Sequence, residues 1–213
     1  MTLAITAEDL RRLPDEEVAS LMDQLGPAKV EELRHTWEFW ARPNQLEPKG
    51  NDWDIWVALA GRGWGKTRAG AEWVRHRVRK GDKIVHCVAP TKGDVRKVMV
   101  EGDSGLLNVC WKGDKTYRGK HIGYPEWSPT NNTMTWENGA KAVFFSAEDP
   151  ERLRGPQAFS AWCDELCAWR NAQETWDMLQ FGLRLGNHPQ VLITTTPKTT
   201  KLLRNILADD NTV

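Results

Sequence analysis

The residues best equipped for chemistry lie in two short runs. The first is Ala60-Gly-Arg-Gly-Trp-Gly-Lys-Thr67, placed where an apolar stretch from Ile55 to Ala60 gives way to a helix-forming one from Thr67 to about Arg79. Three glycines, Gly61, Gly63 and Gly65, let a backbone curl until successive N–H groups point at phosphate oxygens. The positive end of the following helix adds to the attraction. In such a loop Lys66 reaches the β- and γ-phosphates, and the Thr67 hydroxyl ligates Mg²⁺. Arg62 and Trp64 are further candidates for nucleotide contact inside the loop, and Ala60 stands where the usual pattern begins with glycine. The second run, Ala158 to Glu165, is apolar until it ends in two adjacent carboxylates. Acids that close a buried strand are costly unless a cation or ligand uses them. Asp164 is therefore expected to hold Mg²⁺ through water, and Glu165 to polarise a water for in-line attack on the γ-phosphate. ATP and Mg²⁺ are the cofactors this chemistry requires.

Two weaker signals accompany these runs. Thr194, Thr195 and Thr196, followed by Pro197, put hydroxyls at the carboxyl end of an apolar strand, the edge at which open α/β sheets bind ligands. They are placed to sense the γ-phosphate. Gln45, at the end of Ala41-Arg-Pro-Asn-Gln45, carries an amide that can pair bidentately with adenine N6 and N7.

The elements that must position these residues follow from periodicity. From Trp53 onward strands and helices alternate, which predicts a mostly parallel sheet with helices on its faces. The strands are expected at Ile55–Ala60, Lys83–Ala89, Ala158–Cys163 and Val191–Thr195, with helices starting at Asp94–Val100 and spanning Glu174–Leu185. Thr133–Trp136 and Lys141–Phe145 flank Glu137-Asn138-Gly139 and read as a hairpin with an Asn-Gly turn. Ser104–Pro129, rich in Gly, Lys and Trp, reads as an irregular and flexible insertion. The amino-terminal segment, residues 1–42, reads as a helical arm or lid ahead of a domain spanning 43–213. Val18, Leu21, Met22 and Leu25 form one stripe stopped by Gly26-Pro27. Val30, Leu33, Trp37 and Trp40 form a second, ending before Pro43.

Composition sets outer bounds. At 213 residues the chain has room for one α/β domain and a small appendage. Its four cysteines lack paired Cys-x-x-Cys spacing, so buried thiols in a reducing compartment are expected and a zinc site is not. No apolar run approaches a bilayer span, so no membrane partner is expected. The formal net charge of +0 hides an asymmetry: residues 1–32 carry eight acidic and three basic side chains, residues 62–97 eleven basic and three acidic. The basic block, with Arg68, Arg75, Arg77, Arg79, Lys80 and Lys83, suits either a nucleic-acid contact or a solvated helix face. Most of the 12 tryptophans are expected in the core, with Trp64 and the pair Trp37 and Trp40 placed where a ligand could be met.

Taken together, the RPNQ segment, the arginine-containing AGRGWGKT, the VAPT loop, the WCDE strand and the TTTP strand end resemble, in that order, the large terminase subunit of tailed bacteriophages. The resemblance covers about residues 40–200. It implies an α/β P-loop NTPase of the additional-strand, catalytic-Glu branch, with a short amino-terminal helical arm. It implies an ATPase that pumps double-stranded DNA into an empty capsid. Lys66, Thr67, Asp164 and Glu165 would take the roles argued above, and Thr194–Thr196 would couple hydrolysis to motion. Arg154 would be offered to a neighbouring subunit's ATP, with Arg62, Arg152 and Arg184 as rivals for that role. The implied partners are double-stranded DNA, the portal protein, the small terminase subunit and further copies of the chain in a ring, a pentamer, the isolated domain being a monomer. The implied place is the host cytoplasm at the capsid portal vertex. Family members usually continue into a ribonuclease-H-like nuclease domain that these 213 residues do not include, so no DNA cleavage is expected. A helicase-like nucleic-acid-dependent ATPase and a nucleotide-gated binding module remain as alternatives. No Asn-Lys-x-Asp guanine reader is present to favour a GTPase.

Overall fold

The computed structural model describes residues 5–50 and 52–213, so the first four residues of the expected arm lie outside it. The chain divides into two units, Met1–Leu46 and Glu47–Val213.

The first unit holds α1 (Ala7–Leu10), α2 (Asp15–Arg34) and α3 (Trp37–Trp40). A reciprocal cap starts α1: the Thr6 hydroxyl accepts from the Asp9 N–H, and the Asp9 carboxylate accepts from the Thr6 N–H at 2.9 Å. Gly26-Pro27 ends the first helical stretch as expected: Gly26 is non-helical at φ 73° and ψ 162°, so α2 is two helices joined at a kink. Pro27 then sits in the first turn after the kink, where a missing N–H costs little. The second stripe is also divided. It breaks at His35 and Thr36, and the Trp40 indole donates back to the Leu33 and Arg34 carbonyls at 3.1 Å each. Ala7, Leu33 and Phe39 form this unit's small core.

The second unit runs β1 (Ile55–Leu59), α4 (Lys66–Lys80), β2 (Ile84–Ala89), α5 (Lys92–Asp94) continuing as a π-helical turn over Val95–Val100, α6 (Leu106–Val109), β3 (Glu126–Ser128), β4 (Thr133–Thr135), β5 (Lys141–Ser146), β6 (Ser160–Asp164), α7 (Ala172–Gly182), β7 (Gln190–Thr195) and α8 (Lys201–Leu207). Seven strands form one sheet in the order β1-β7-β6-β2-β5-β4-β3, parallel from β1 to β5 and antiparallel at β4 and β3. β7 is thus inserted between the strand that feeds the glycine-rich loop and the strand that ends in the acids. This is the additional-strand arrangement.

Period-two alternation sorts the central strands onto two cores. Val85, Cys87, Trp162 and Leu192 face α4, together with Trp73, Val74 and Val78 of that helix. Val88, Ala161, Cys163, Val191 and Ile193 face the other way, toward Trp176 and Leu179 of α7 and Leu202 and Ile206 of α8. Burial raises the thiol pKa of Cys87, Cys110 and Cys163. The β4–β5 turn has the expected Asn138-Gly139, with Gly139 alone left-handed at φ 80° and the Asn138 side chain accepting from the Ala140 N–H at 3.0 Å.

The segment Ser104–Pro129 is packed, which corrects the expectation of a flexible insertion. It supplies α6, whose Leu106 and Val109 are buried, along with Cys110, Ile122 and the edge strand β3. Its anchor is electrostatic. Buried Asp114 accepts from Arg75 Nε at 2.7 Å, and Arg75 also meets buried Glu72 at 3.1 Å. Burial opposes the Arg75 charge, but the Asp114 hydrogen bond and both carboxylates outweigh it and raise its pKa. Arg79 adds a cation–π contact over Tyr117 at 4.8 Å. The solvated-face reading fails for Arg75 and Arg77, which are buried, whereas Lys80 and Lys83 are exposed. Arg77 is buried on Asp82 and Gln190, Arg68 pairs with Glu72, and Lys80 reaches Glu47.

Candidate active site

The glycine-rich loop turns tightly between β1 and α4, with Gly63 and Gly65 at φ 83° and 88°. Only glycine takes such angles without strain, and Gly65 occupies the N-cap of α4. The loop opens onto a cleft of about 480 Å³, within the range of small-molecule sites. Gly61, Arg62, Gly63, Gly65, Lys66 and Thr67 line it on one side and Glu165 contributes from the acidic strand. Trp64 is the exception in the loop: its ring packs on the α4-side core and is not among the residues lining the cleft.

Lys66 joins the two runs that the sequence singled out. Its Nζ donates to the Ala60 and Gly61 carbonyls at 2.9 and 3.2 Å and to Thr196 Oγ1 at 3.1 Å, and it pairs with Glu165 Oε1 at 3.2 Å. Glu165 itself is held by Thr196, whose N–H donates to Oε2 at 2.9 Å and whose hydroxyl donates to Oε1 at 3.1 Å. Its backbone is left-handed, φ 47° and ψ 47°. A non-glycine residue there costs ~1–3 kcal/mol, and such strain concentrates where a side chain must be aimed. Here the turn follows directly on β6, and Glu165 lines the cleft while Asp164, the last residue of the strand, does not.

Asp164 is 3% exposed and accepts from the Thr194 hydroxyl through Oδ1 at 2.7 Å. Burial pushes its carboxyl up to about 6; the Thr194 hydrogen bond and Lys66 pull the other way, while Glu165 and Asp94 add to the rise. A buried carboxylate this short of positive charge suits a bound cation. Thr67 lines the cleft and Asp164 does not; both carry hard oxygen donors of the kind Mg²⁺ takes.

The three threonines expected to act together have separate tasks. Thr194 holds Asp164, Thr195 accepts from the Cys167 N–H at 3.1 Å on the opposite face, and Thr196 alone touches both Lys66 and Glu165. Gln45 lies in the first unit, buried, with its side-chain oxygen accepting from the Arg42 N–H at 2.9 Å. Arg154 is exposed and pairs with Glu151 at 3.0 Å on the rim of a different, 360 Å³ groove that also includes Arg184. Arg68, Lys97, Val98, Gly102, Asp103 and Ser104 line the main cleft and were not foreseen. The signal was structural: the segment 95–100, expected as an ordinary helix, is π-helical, and π-turns gather at functional sites.

A family model described as terminase large subunit, T4likevirus-type, N-terminal, matches residues 57–212. No protein of curated function matches the chain. Among solved structures the chain is similar to the large terminase ATPase domain of Thermus phage P74-26, at 14% identity and TM-score 0.48 over 76% of this chain and 69% of that one. A point mutant of that domain gives 15% and 0.49 over 76% and 70%. The large terminase of a thermophilic bacteriophage gives 12% and 0.48 over 76% of this chain, which spans only 37% of that protein.

Proposed function

The chain belongs to the T4-like-virus-type terminase large subunit family, in its N-terminal part, and from that premise we propose that it hydrolyses Mg²⁺-bound ATP to drive double-stranded DNA into a preformed capsid. The observation that carries the reading is the junction of Lys66, Thr196 and Glu165, which puts a phosphate-binding lysine within 3.2 Å of a carboxylate aimed into the same cleft.

The chain's own groups divide the work. The N–H groups around Gly61, Gly63 and Gly65 bind phosphate oxygens, and Arg62 adds charge from the exposed side of the loop. Lys66 exchanges its loop and Glu165 contacts for the β- and γ-phosphate oxygens. That exchange releases Glu165 to orient a water in line with the γ-phosphorus, while the two Thr196 donors hold its carboxylate in place. Thr67 and Asp164 would hold Mg²⁺, which when bound would offset the charge of the phosphates. Because Thr196 touches both Lys66 and Glu165 at the end of β7, it is the residue of the threonine run through which phosphate loss reaches the sheet.

Arg154 is the proposed residue for a neighbouring subunit's ATP. It is exposed and held by an i,i+3 pair worth little in water, so it can be redirected at small cost. Arginines acting in this way are worth roughly 10³–10⁵ in rate in other P-loop enzymes. A ring on the portal, working with the small terminase subunit, is part of the same proposal. ATP turnover measured with and without empty, portal-bearing capsids tests it: stimulation by capsids is expected, whereas stimulation by free DNA alone points to a helicase-like ATPase.

A further inference from the structure

Beneath α4, three buried side chains form a hydrogen-bond chain with a fixed direction, and we propose that Trp162 is a positioning residue for Asp164, acting through Thr194 to hold the carboxylate for the metal. The proposal rests on the Mg²⁺-ATP reading above.

Trp162 and Asp164 are two residues apart on β6 and so face the same side of the sheet. Thr194 lies directly opposite Asp164 in the parallel register with β7. The indole Nε1–H can only donate, so its 2.8 Å bond to Thr194 Oγ1 makes the hydroxyl the acceptor there. The hydroxyl has one proton of its own and two oxygens in reach: Asp164 Oδ1 at 2.7 Å and the Cys163 carbonyl at 3.4 Å. With the indole occupying a lone pair, the proton is directed to the nearer carboxylate oxygen. Asp164 Oδ1 is thereby fixed as an acceptor, which leaves Oδ2 to the cation. Trp162 and Thr194 are both fully buried, so the geometry is set by packing.

A second observation shows that the indole is itself held. Gly70 sits in the middle of α4, where glycine costs ~1 kcal/mol against alanine. A Cβ at Gly70 would lie 2.0 Å from Trp162 Cε2 and 2.3 Å from Nε1. The backbone of the helix that begins at the phosphate loop therefore rests directly on the nitrogen end of this ring. The chain from Gly70 through Trp162 and Thr194 to Asp164 gives that helix a physical hold on the metal carboxylate. Outer partners of metal ligands commonly change metal affinity 10- to 100-fold when removed.

The test uses Mn²⁺ as the probe, titrated by the loss of its free EPR signal in the presence of a non-hydrolysable ATP analogue. Trp162→Phe removes the N–H and keeps an aromatic ring. It should weaken Mn²⁺ binding about tenfold while leaving metal-free nucleotide affinity unchanged. Thr194→Val should show the same loss, Thr194→Ser should restore parental affinity, and the Trp162→Phe/Thr194→Val double variant should be no weaker than Thr194→Val alone. Parental Mn²⁺ affinity in Trp162→Phe, or losses that add in the double variant, would overturn the proposal. If Trp162→Phe does not fold, the contrast between Thr194→Val and Thr194→Ser decides, equal affinities counting against it. Asp164→Asn separates this outcome from failure of the underlying reading. If that variant also binds Mn²⁺ normally, the metal assignment itself is wrong. Mn²⁺ binding that needs Asp164 but ignores Trp162 removes only the relay.

Discussion

The two ends of α4 use the same cationic residue types for opposite purposes. At the amino end Lys66 and Arg68 border a cleft, and Lys66 is shared among weak, exchangeable acceptors: two loop carbonyls, a hydroxyl and one carboxylate. At the carboxyl end Arg75 and Arg77 are buried, and carboxylates partner them from Asp114 and Asp82. A cation with exchangeable partners can be recruited by a phosphate, whereas one that neutralises buried acids cannot leave without exposing them to the full cost of desolvation. The difference teaches that a basic run along a helix is read by what faces each charge, not by its density.

Breaking the structural end should have the largest effect. Arg75→Ala strands buried Asp114 and leaves buried Glu72 with Arg68 alone, and truncating one member of a buried pair costs ~3–5 kcal/mol. A matching fall in the urea midpoint is expected, and a loss below ~1 kcal/mol would mean that the 104–129 segment is held by its apolar contacts alone. Next comes a buried ionisable group with no partner. Both ring nitrogens of His86 lack hydrogen bonds, its ring packs edge-on against Phe145, and burial lowers its pKa from 6.5 to about 4. Between those values the unfolded chain binds the proton and the folded chain does not. Its share of stability is thus complete above pH 6.5, falls as the pH drops toward 4, and levels off below. The total fall amounts to about 3 kcal/mol, and His86→Leu should flatten it in denaturation curves recorded across that window.

At the cleft end the expected losses are in binding. Lys66→Ala should weaken ATP binding roughly 10- to 100-fold, the scale of a charge-assisted contact, with a smaller change in stability than Arg75→Ala. Calorimetry beside a melting curve measures both. Arg154→Ala should change least: an exposed pair is worth ~0–1 kcal/mol, so stability and ATP affinity stay parental. Its effect should appear only in assembled rings, where mixing with Glu165→Gln subunits restores some turnover if the arginine acts in trans.

The candidate site was legible where its residues are local in sequence. Lys66, Thr67, Asp164 and Glu165 are named by short runs whose residue types leave few other uses, and the parallel sheet followed from alternation of strands and helices. What was not legible depends on pairing across the chain. Thr194, Thr195 and Thr196 look alike in sequence, and only the register of β6 with β7 sends one to Asp164, one to the far face and one to Glu165. The segment 104–129 has the composition of a loose loop because its anchor, Asp114, needs an arginine 39 residues earlier. The π-turn at 95–100, and with it Lys97 and Ser104 on the cleft wall, has no single-residue signature.

Pre-steady-state hydrolysis of ATP by the parental protein and by Glu165→Gln tests the central claim most directly. The amide keeps the shape and can still accept from one of the two Thr196 donors but cannot polarise water, so the variant should bind Mg²⁺-ATP with near-parental affinity and lose ~10²–10⁴-fold in the chemical step. A Glu165→Gln protein that hydrolyses bound ATP at the parental rate would contradict the assignment of this cleft as a hydrolytic site built around Glu165.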